Sequence, residues 1–432
     1  MGIIEIVVLV ASFVILIAIG VPIAYSIGIS SILTMLVSIL TVPALTTMAE
    51  RMASGLDSFT LLAIPFFILT GQLMNRGGVA TKLIDFAKSW VEVLPGGLAY
   101  VNIIAAMLFG AVSGSAAAAA SGIGGFMIPR MKEEGYDKPF SAAVNITSAT
   151  TGLVIPPSNI LIVYSLASGG VSVGALFLAG YVPGIVAGLA LMIVAGYIAF
   201  RNNYPVGERA PLKTIFFRFL DAIPSLFMIV IVIGGIIAGF FTATEASAIA
   251  VIYTLLLSLV FYREIGVSDL PQILIDSVLN TAIVMLLIGT SMGMGWIMSY
   301  EQIPQTVSAA LLSISHNKII VLLLINLILL FVGMFMDMTP AVLIFTPIFL
   351  PIVTQFGIDP IQFGIIIVLN LCIGLCTPPV GSVLFIGVSV ADISIEEVVK
   401  PLIPLYVAMI VALLLVTYIP ALSLWLPHLF GF

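Results

Sequence analysis

Gly152-Leu-Val-Ile-Pro156-Pro157-Ser158-Asn159 is followed, 222 residues later, by Gly374-Leu-Cys-Thr-Pro378-Pro379-Val-Gly381. The same offset relates Pro129 to Pro351, Gly135 to Gly357 and Asp137 to Asp359, so six identities share one unbroken register. All six are residues that punctuate a backbone. Each copy sets a glycine and a double proline inside an otherwise apolar helical stretch. Proline lacks an N–H and clashes with the preceding turn, so the helix breaks there. At membrane depth a break is tolerated only against protein or a hydrated cavity. Two matching breaks in two halves of a chain point to the binding site of a transporter.

The 432 residues are 61% hydrophobic and 8% charged. A soluble fold of this length needs more polar surface than that. Apolar runs of membrane-spanning length recur, for example Ile3 to Gly20, read as a retained span, and Leu402 to Trp425. The fold class is an all-α polytopic membrane protein embedded in a lipid bilayer. A net charge of -6 argues against a nucleic-acid partner, which would want a basic face. Cys372 and Cys376 lie four apart on one apolar helix with no metal-ligating partner nearby, and read as small core residues.

The spans read 3–20, 22–40 and 58–75, then a polar amphipathic segment 76–93. A hairpin 96–131, a broken helix 137–169 and a span 172–200 follow. The second half reads 222–241, 243–262 and 271–300, a connector 301–317, a hairpin 318–356, a broken helix 359–391 and a span 398–427. Residues 1–200 and 222–432 are thus two repeats joined by a polar linker 201–221, which carries Arg201, Arg209, Lys213 and Arg218. Basic residues collect in the cytoplasm. With the linker inside, 12 of the 14 basic residues fall inside, and Arg51 and Lys318 remain outside. Both termini are then periplasmic, each half makes an odd number of crossings, and the repeat has inverted topology.

Lys88 and Arg130 share a side in that arrangement. The segment Pro95 to Pro129 holds about 34 residues, or two helices of roughly 25 Å. That falls short of two crossings of a core about 30 Å thick, so a re-entrant hairpin is expected. The second hairpin enters from the opposite side, with its turn near Asp337 to Pro340.

The first tip reads Gly110-Ala-Val-Ser113-Gly114-Ser115, followed by five alanines. Ser113 and Ser115 offer oxygens with little bulk beside a glycine that permits close approach. Ala116 to Gly125 reads instead as a small-residue packing seam. At the breaks, the double prolines leave carbonyls about one turn earlier without helical donors. Neutral carbonyl and hydroxyl oxygens suit sodium, whereas a dication wants several carboxylates. Half-helix N-termini at the same depth favour an anion. Asp337 has two readings. An intramembrane carboxylate costs about 2.5–3.5 kcal/mol, which implies a partner or a cavity and hence a ligand role; alternatively it caps the helix that starts there. A serine nucleophile at Ser113 or Ser115 needs a base. His316 and His428 sit at the outer ends of spans, so enzymatic activity is not expected.

At these residues the chain resembles the large membrane subunit of a tripartite ATP-independent periplasmic (TRAP) transporter, with a general likeness to the sialic-acid type, over essentially its whole length. The resemblance rests on Gly110-x-x-Ser-Gly-Ser-Ala116, on both Gly-x-x-x-Pro-Pro breaks, and on Phe66 to Gly78. It implies sodium-driven import of an organic acid anion, of the sialic-acid or C4-dicarboxylate class, across a bacterial inner membrane. A small four-helix membrane subunit and a periplasmic substrate-binding protein are the implied partners. The implied fold is a scaffold plus an elevator-type transport domain, with sodium where each hairpin tip meets its broken helix. Residue by residue, this places Ser113, Gly114, Ser115, Gly152, Pro156 and Asn159 at one sodium site. Asp337, Thr339, Gly374, Thr377, Pro378 and Ser382 serve the other. Ser115, Ser158, Asn159, Asp337 and Gly381 are the candidate substrate ligands. Glu50, Arg51 and Asp57 are candidate contacts for the binding protein, or else an ordinary solvated loop. A single-component sodium–dicarboxylate or citrate symporter is the alternative, sharing repeats and hairpins without helpers.

Overall fold

A chain that meets lipid has to satisfy its backbone polar groups within each segment, and for a sequence this apolar the solution is helix. The structure, a computed structural model, describes residues 3–91, 93–206 and 211–432; Arg209 of the expected linker lies outside the described residues. The chain opens with α1 (Ile3–Ala18), α2 (Ile23–Ser38) and α3 (Thr41–Leu56), which bends by 64° into α4 (Ala63–Arg76). After α5 (Val79–Val91), α6 (Gly97–Ser113) and α7 (Ala116–Glu133) form the first hairpin. α8 (Lys138–Thr151) and α9 (Asn159–Ala167) form the first broken helix, bent by 52° at the double proline, and α10 (Val173–Arg201) closes the half.

The second half holds α11 (Leu212–Ile237), α12 (Ala243–Leu256), α13 (Leu270–Tyr300) and α14 (Ile303–Ile314). α15 (Lys318–Gly333) and α16 (Met338–Gln355) form the second hairpin, and α17 (Pro360–Leu375) and α18 (Ser382–Ala391) the second broken helix. α19 (Ile395–Tyr418) and α20 (Ala421–Leu429) end the chain. Among the described residues six helices are long and apolar enough to cross a membrane, or up to eight if each bent pair is one span.

Helix extends further than the apolar runs. Residues 41–57, expected as an outer loop, are mostly α3, which buries only Ala44 and Met48 and takes its order from packing on α13. The second half of the expected linker 201–221 is helical, because α11 already starts at Leu212. The connector 301–317 carries α14, and the span 398–427 is two helices parted at Pro420. The second turn ends at Asp337 rather than running to Pro340, since Pro340 fits the first turn of α16, where no N–H is needed.

Two helices form the centre. Every residue from Phe140 to Thr151 in α8 and from Gln362 to Leu375 in α17 is buried. The buried hydroxyls of α8 donate to carbonyls three or four residues back, as Thr147 to Ala143 (2.9 Å) and Thr151 to Ser148 (2.6 Å). The helices meet where the Cys372 thiol lies 3.1 Å from the Thr150 carbonyl and Cys376 Sγ 3.5 Å from Thr150 Oγ1. Thr150 and Cys372 are 222 residues apart, so equivalent positions of the two copies touch. The exchange continues outward: α7 packs on α18 and α16 on α9, each hairpin covering the other half's short helix.

Each hairpin also lies against its own broken helix at a glycine pair. A Cβ on Gly152 would sit 2.7 Å from Gly110 Cα, and one on Gly374 would sit 2.5 Å from Gly333 Cα. The same close approach therefore occurs in both halves. Gly374→Ala is expected to lower the Tm of the detergent-solubilised protein, at an overpacking cost of about 1–3 kcal/mol. Gly125→Ala, where an added Cβ meets nothing within 4 Å, is expected to leave Tm unchanged or raise it, since alanine is favoured in a helix by about 1 kcal/mol.

Candidate functional site

Four helices begin at one place. α7 starts after Ser115, α9 after Ser158, α16 after Asp337 and α18 after Gly381. Their first residues, Ala116, Asn159, Met338 and Ser382, line a single cavity of about 510 Å³. Each helix N-terminus is equivalent to roughly half a positive elementary charge. Among the described residues its wall carries no lysine or arginine, and one carboxylate, Asp337. The positive field therefore comes from backbone, with one negative group set into it.

The first tip is built by Gly114, whose φ of +62° ends α6 while its N–H donates to the Gly110 carbonyl at 2.9 Å. Ser115 then caps α7, its Oγ accepting the Ala118 N–H at 3.2 Å. Gly114 lies against Asn159, since a Cβ there would come within 2.6 Å of Asn159 Nδ2. The Asn159 Oδ1 atom is buried and accepts no hydrogen bond. A buried amide oxygen without a donor, on the same wall as two serine hydroxyls, fits a small cation with a preference for neutral oxygen ligands.

At the second tip Asp337 Oδ1 accepts the Met338 N–H at 2.9 Å, capping α16, while the side chain faces the cavity. Of its two sequence readings, the cap is the one this geometry shows, and the carboxylate also borders the cavity. The Gly381 N–H donates to the Met334 carbonyl at 3.0 Å and ties the second break to this tip. Tyr406 on α19 donates its hydroxyl to the Cys376 carbonyl and steadies the unwound segment from behind.

Ser113, Gly114, Ser115, Asn159, Asp337, Thr339 and Ser382 share the cavity wall. Gly152, Pro156 and Ser158 are buried behind it, and Gly374, Thr377, Pro378 and Gly381 also lie off the wall. Several break carbonyls find donors. Gly152 O accepts the Ile155 N–H (3.1 Å), Leu153 O the Ser158 hydroxyl (2.5 Å), and Gly374 O the Thr377 N–H (2.9 Å). Glu50, Arg51 and Asp57 are all exposed, and Arg51 also lines a second cavity. Sequence reasoning missed the opposite wall, where α4 contributes Gln72 and Asn75 and α13 contributes Asn280. The signal was present: amides three apart, hence on one helix face, inside apolar runs.

The family model described as tripartite ATP-independent periplasmic transporter, DctM component, matches residues 10–422. The YgiK protein of Salmonella typhimurium is 56% identical over 99% of this chain and 98% of its own length. The sialic acid TRAP transporter large permease protein SiaM of Vibrio cholerae is 40% identical, covering 88% of this chain and 89% of the relative. The C4-dicarboxylate TRAP transporter large permease protein DctM of Pseudomonas aeruginosa is 39% identical over 94% of each. Among solved structures, the Alcanivorax borkumensis YdaH transporter superposes with a TM-score of 0.62, at 12% identity over 90% of this chain and 89% of that one. At that identity the likeness is one of fold.

The geometry of Asp337 separates its cap from its charge. Asp337→Ala is expected to lower stability by about 1 kcal/mol through loss of the cap, whereas Asp337→Asn, which also caps, keeps most of it. Thermal unfolding of the two purified variants checks this.

Proposed function

Because the chain belongs to the DctM-component family of tripartite ATP-independent periplasmic transporters, a family of multi-pass membrane permeases and not enzymes, we propose that it imports an organic acid anion with sodium as the coupling ion. The observation that carries this is the convergence of four helix N-termini on a cavity that, among the described residues, has no basic side chain. Such a cavity attracts a carboxylate through backbone dipoles and keeps oxygen ligands free for an alkali cation. The cargo class is that of sialic acids or C4-dicarboxylates, in line with the relatives.

One sodium ion is assigned to the first tip, with Ser113, Gly114, Ser115 and Asn159 around it and Gly152 and Pro156 shaping the backbone behind. The other belongs at the second tip, with Asp337, Thr339 and Ser382 facing it and Gly374, Thr377 and Pro378 holding the break. Sodium compensates the Asp337 charge, and the anion then meets the uncompensated helix termini, so each ligand favours the other. Ser115, Asn159 and Asp337 sit where cargo and ions adjoin; Ser158 and Gly381 act by setting the starts of α9 and α18.

In this reading α2, α3, α4, α12 and α13 serve as a scaffold, supported by the packing of α13 on α2, α3 and α4 and of α12 on α4, while the hairpins and broken helices move, elevator-fashion, against α4 and α13, which α6 and α16 touch. The permease works with a small membrane subunit, proposed to have four helices, and with a periplasmic binding protein. Exposed Glu50 and Asp57 are the proposed contacts for that protein. The repeat is inverted, both termini are periplasmic, and the membrane is the bacterial inner membrane.

Reconstitution of both membrane subunits in liposomes, supplied with a binding protein loaded with sialic acid or succinate, tests the coupling. Uptake is expected to require an inward sodium gradient and to fall about ten- to a hundredfold in Asp337→Asn, the effect of losing a charged ligand. Uptake that is indifferent to sodium would overturn it.

A further inference from the structure

The seam between the proposed scaffold and the proposed moving part holds a second cavity, of about 410 Å³. It stacks directly on the first. α9 gives Val163 to the central cavity and Leu166 to the second; α13 gives Leu287 and then Ser291; α16 gives Thr339 and then Leu343. Each step is three or four residues, about 5 Å along a helix. A single layer of side chains therefore parts the two spaces.

The chemistry of the second cavity is that of an anion site. Arg51 lines it, its guanidinium carbon 5.8 Å from the centroid of the Trp296 ring. Among the described residues no carboxylate pairs with Arg51. An aromatic face holds a guanidinium in place without neutralising it, so its N–H groups remain free for a planar carboxylate. Ser291, 4% exposed and on the same wall, has a hydroxyl with no hydrogen-bond partner. A buried unpaired donor points to an absent acceptor.

We propose that this cavity is an outer vestibule, in which Arg51 and Ser291 take up the carboxylate of the incoming organic acid before it passes to the central cavity. It rests on the function proposed above, in which cargo is anionic and the Arg51 end of α3 faces the periplasm. The vestibule raises the local concentration of cargo without forming the transported state. Its loss therefore affects capture more than turnover.

The test uses a reporter thiol at Ser299, which also lines this cavity; the native Cys372 and Cys376 are buried. In the reconstituted complex, Ser299→Cys is labelled with the negatively charged sulfonatoethyl and the positively charged trimethylammonioethyl methanethiosulfonates. The anionic reagent is expected to be favoured, the preference falling about tenfold in Arg51→Gln and persisting in Arg51→Lys, as one nearby charge dictates. Sialic acid or succinate is expected to slow labelling only when Arg51 is present. In uptake, Arg51→Gln is expected to raise KM about tenfold with the maximal rate retained. A reagent preference that Arg51→Gln leaves intact would overturn the vestibule. So would protection by the binding protein alone without acid, which would make Arg51 a protein contact. A wild-type complex that takes up no organic acid would count against the proposed function, while the labelling ratio still decides the vestibule.

Discussion

The structure depends on one constraint: a helix interrupted inside a bilayer exposes backbone groups that lipid cannot hydrogen-bond. Here the interruptions are placed against one another. Gly110 meets Gly152 and Gly333 meets Gly374 closely enough that a Cβ on Gly152 or Gly374 would clash with its partner's backbone. Carbonyls freed by the prolines are met by short turns and by the hydroxyls of Ser158 and Tyr406. The second hairpin tip is held to the second break by the Gly381 N–H on Met334. The four helix N-termini at these junctions, two of them capped by Ser115 and Asp337, all open onto the same space.

Charge in that space is arranged economically. A lysine or arginine in the wall would bind an anion permanently and carry its own desolvation cost through every change of access. Helix dipoles supply a weaker field that is fixed to the backbone and moves with it. Asp337 opposes part of that field, and in the proposed mechanism sodium relieves the opposition. Coupling then needs no nucleotide and no covalent chemistry, only the order in which charges of opposite sign are made whole. The polar wall on α4 and α13 is built from Gln72, Asn75 and Asn280. In the proposed mechanism these uncharged amides give the cargo a polar surface without a fixed counter-charge.

The breaks and the first hairpin were legible in the sequence because glycine and proline act locally. Gly114, Ser115 and the double prolines announce a turn or an interruption whatever surrounds them. α3, α14 and the start of α11 were not, because their helicity comes from packing: α3 is ordered by α13, and no apolar run betrays it. Asp337 could be read both as a cap and as a cavity group, and its position shows why sequence alone left the two open. The amides of the opposite wall were visible as residues but not as a site, since nothing in the chain says that α4 and α13 face the tips. The stacking of a second cavity on the first, with Arg51 at its wall, is likewise a product of tertiary packing.

The central claim is that anion and sodium share one cavity through opposed charge. Titration calorimetry on the purified protein in nanodiscs measures it directly, with sodium titrated at fixed succinate or sialic acid and the acid titrated at fixed sodium. Shared occupancy predicts that each ligand tightens the other by the same factor, about 5–150-fold, as linkage demands. Affinities that are independent of one another, with both ligands bound, would contradict it.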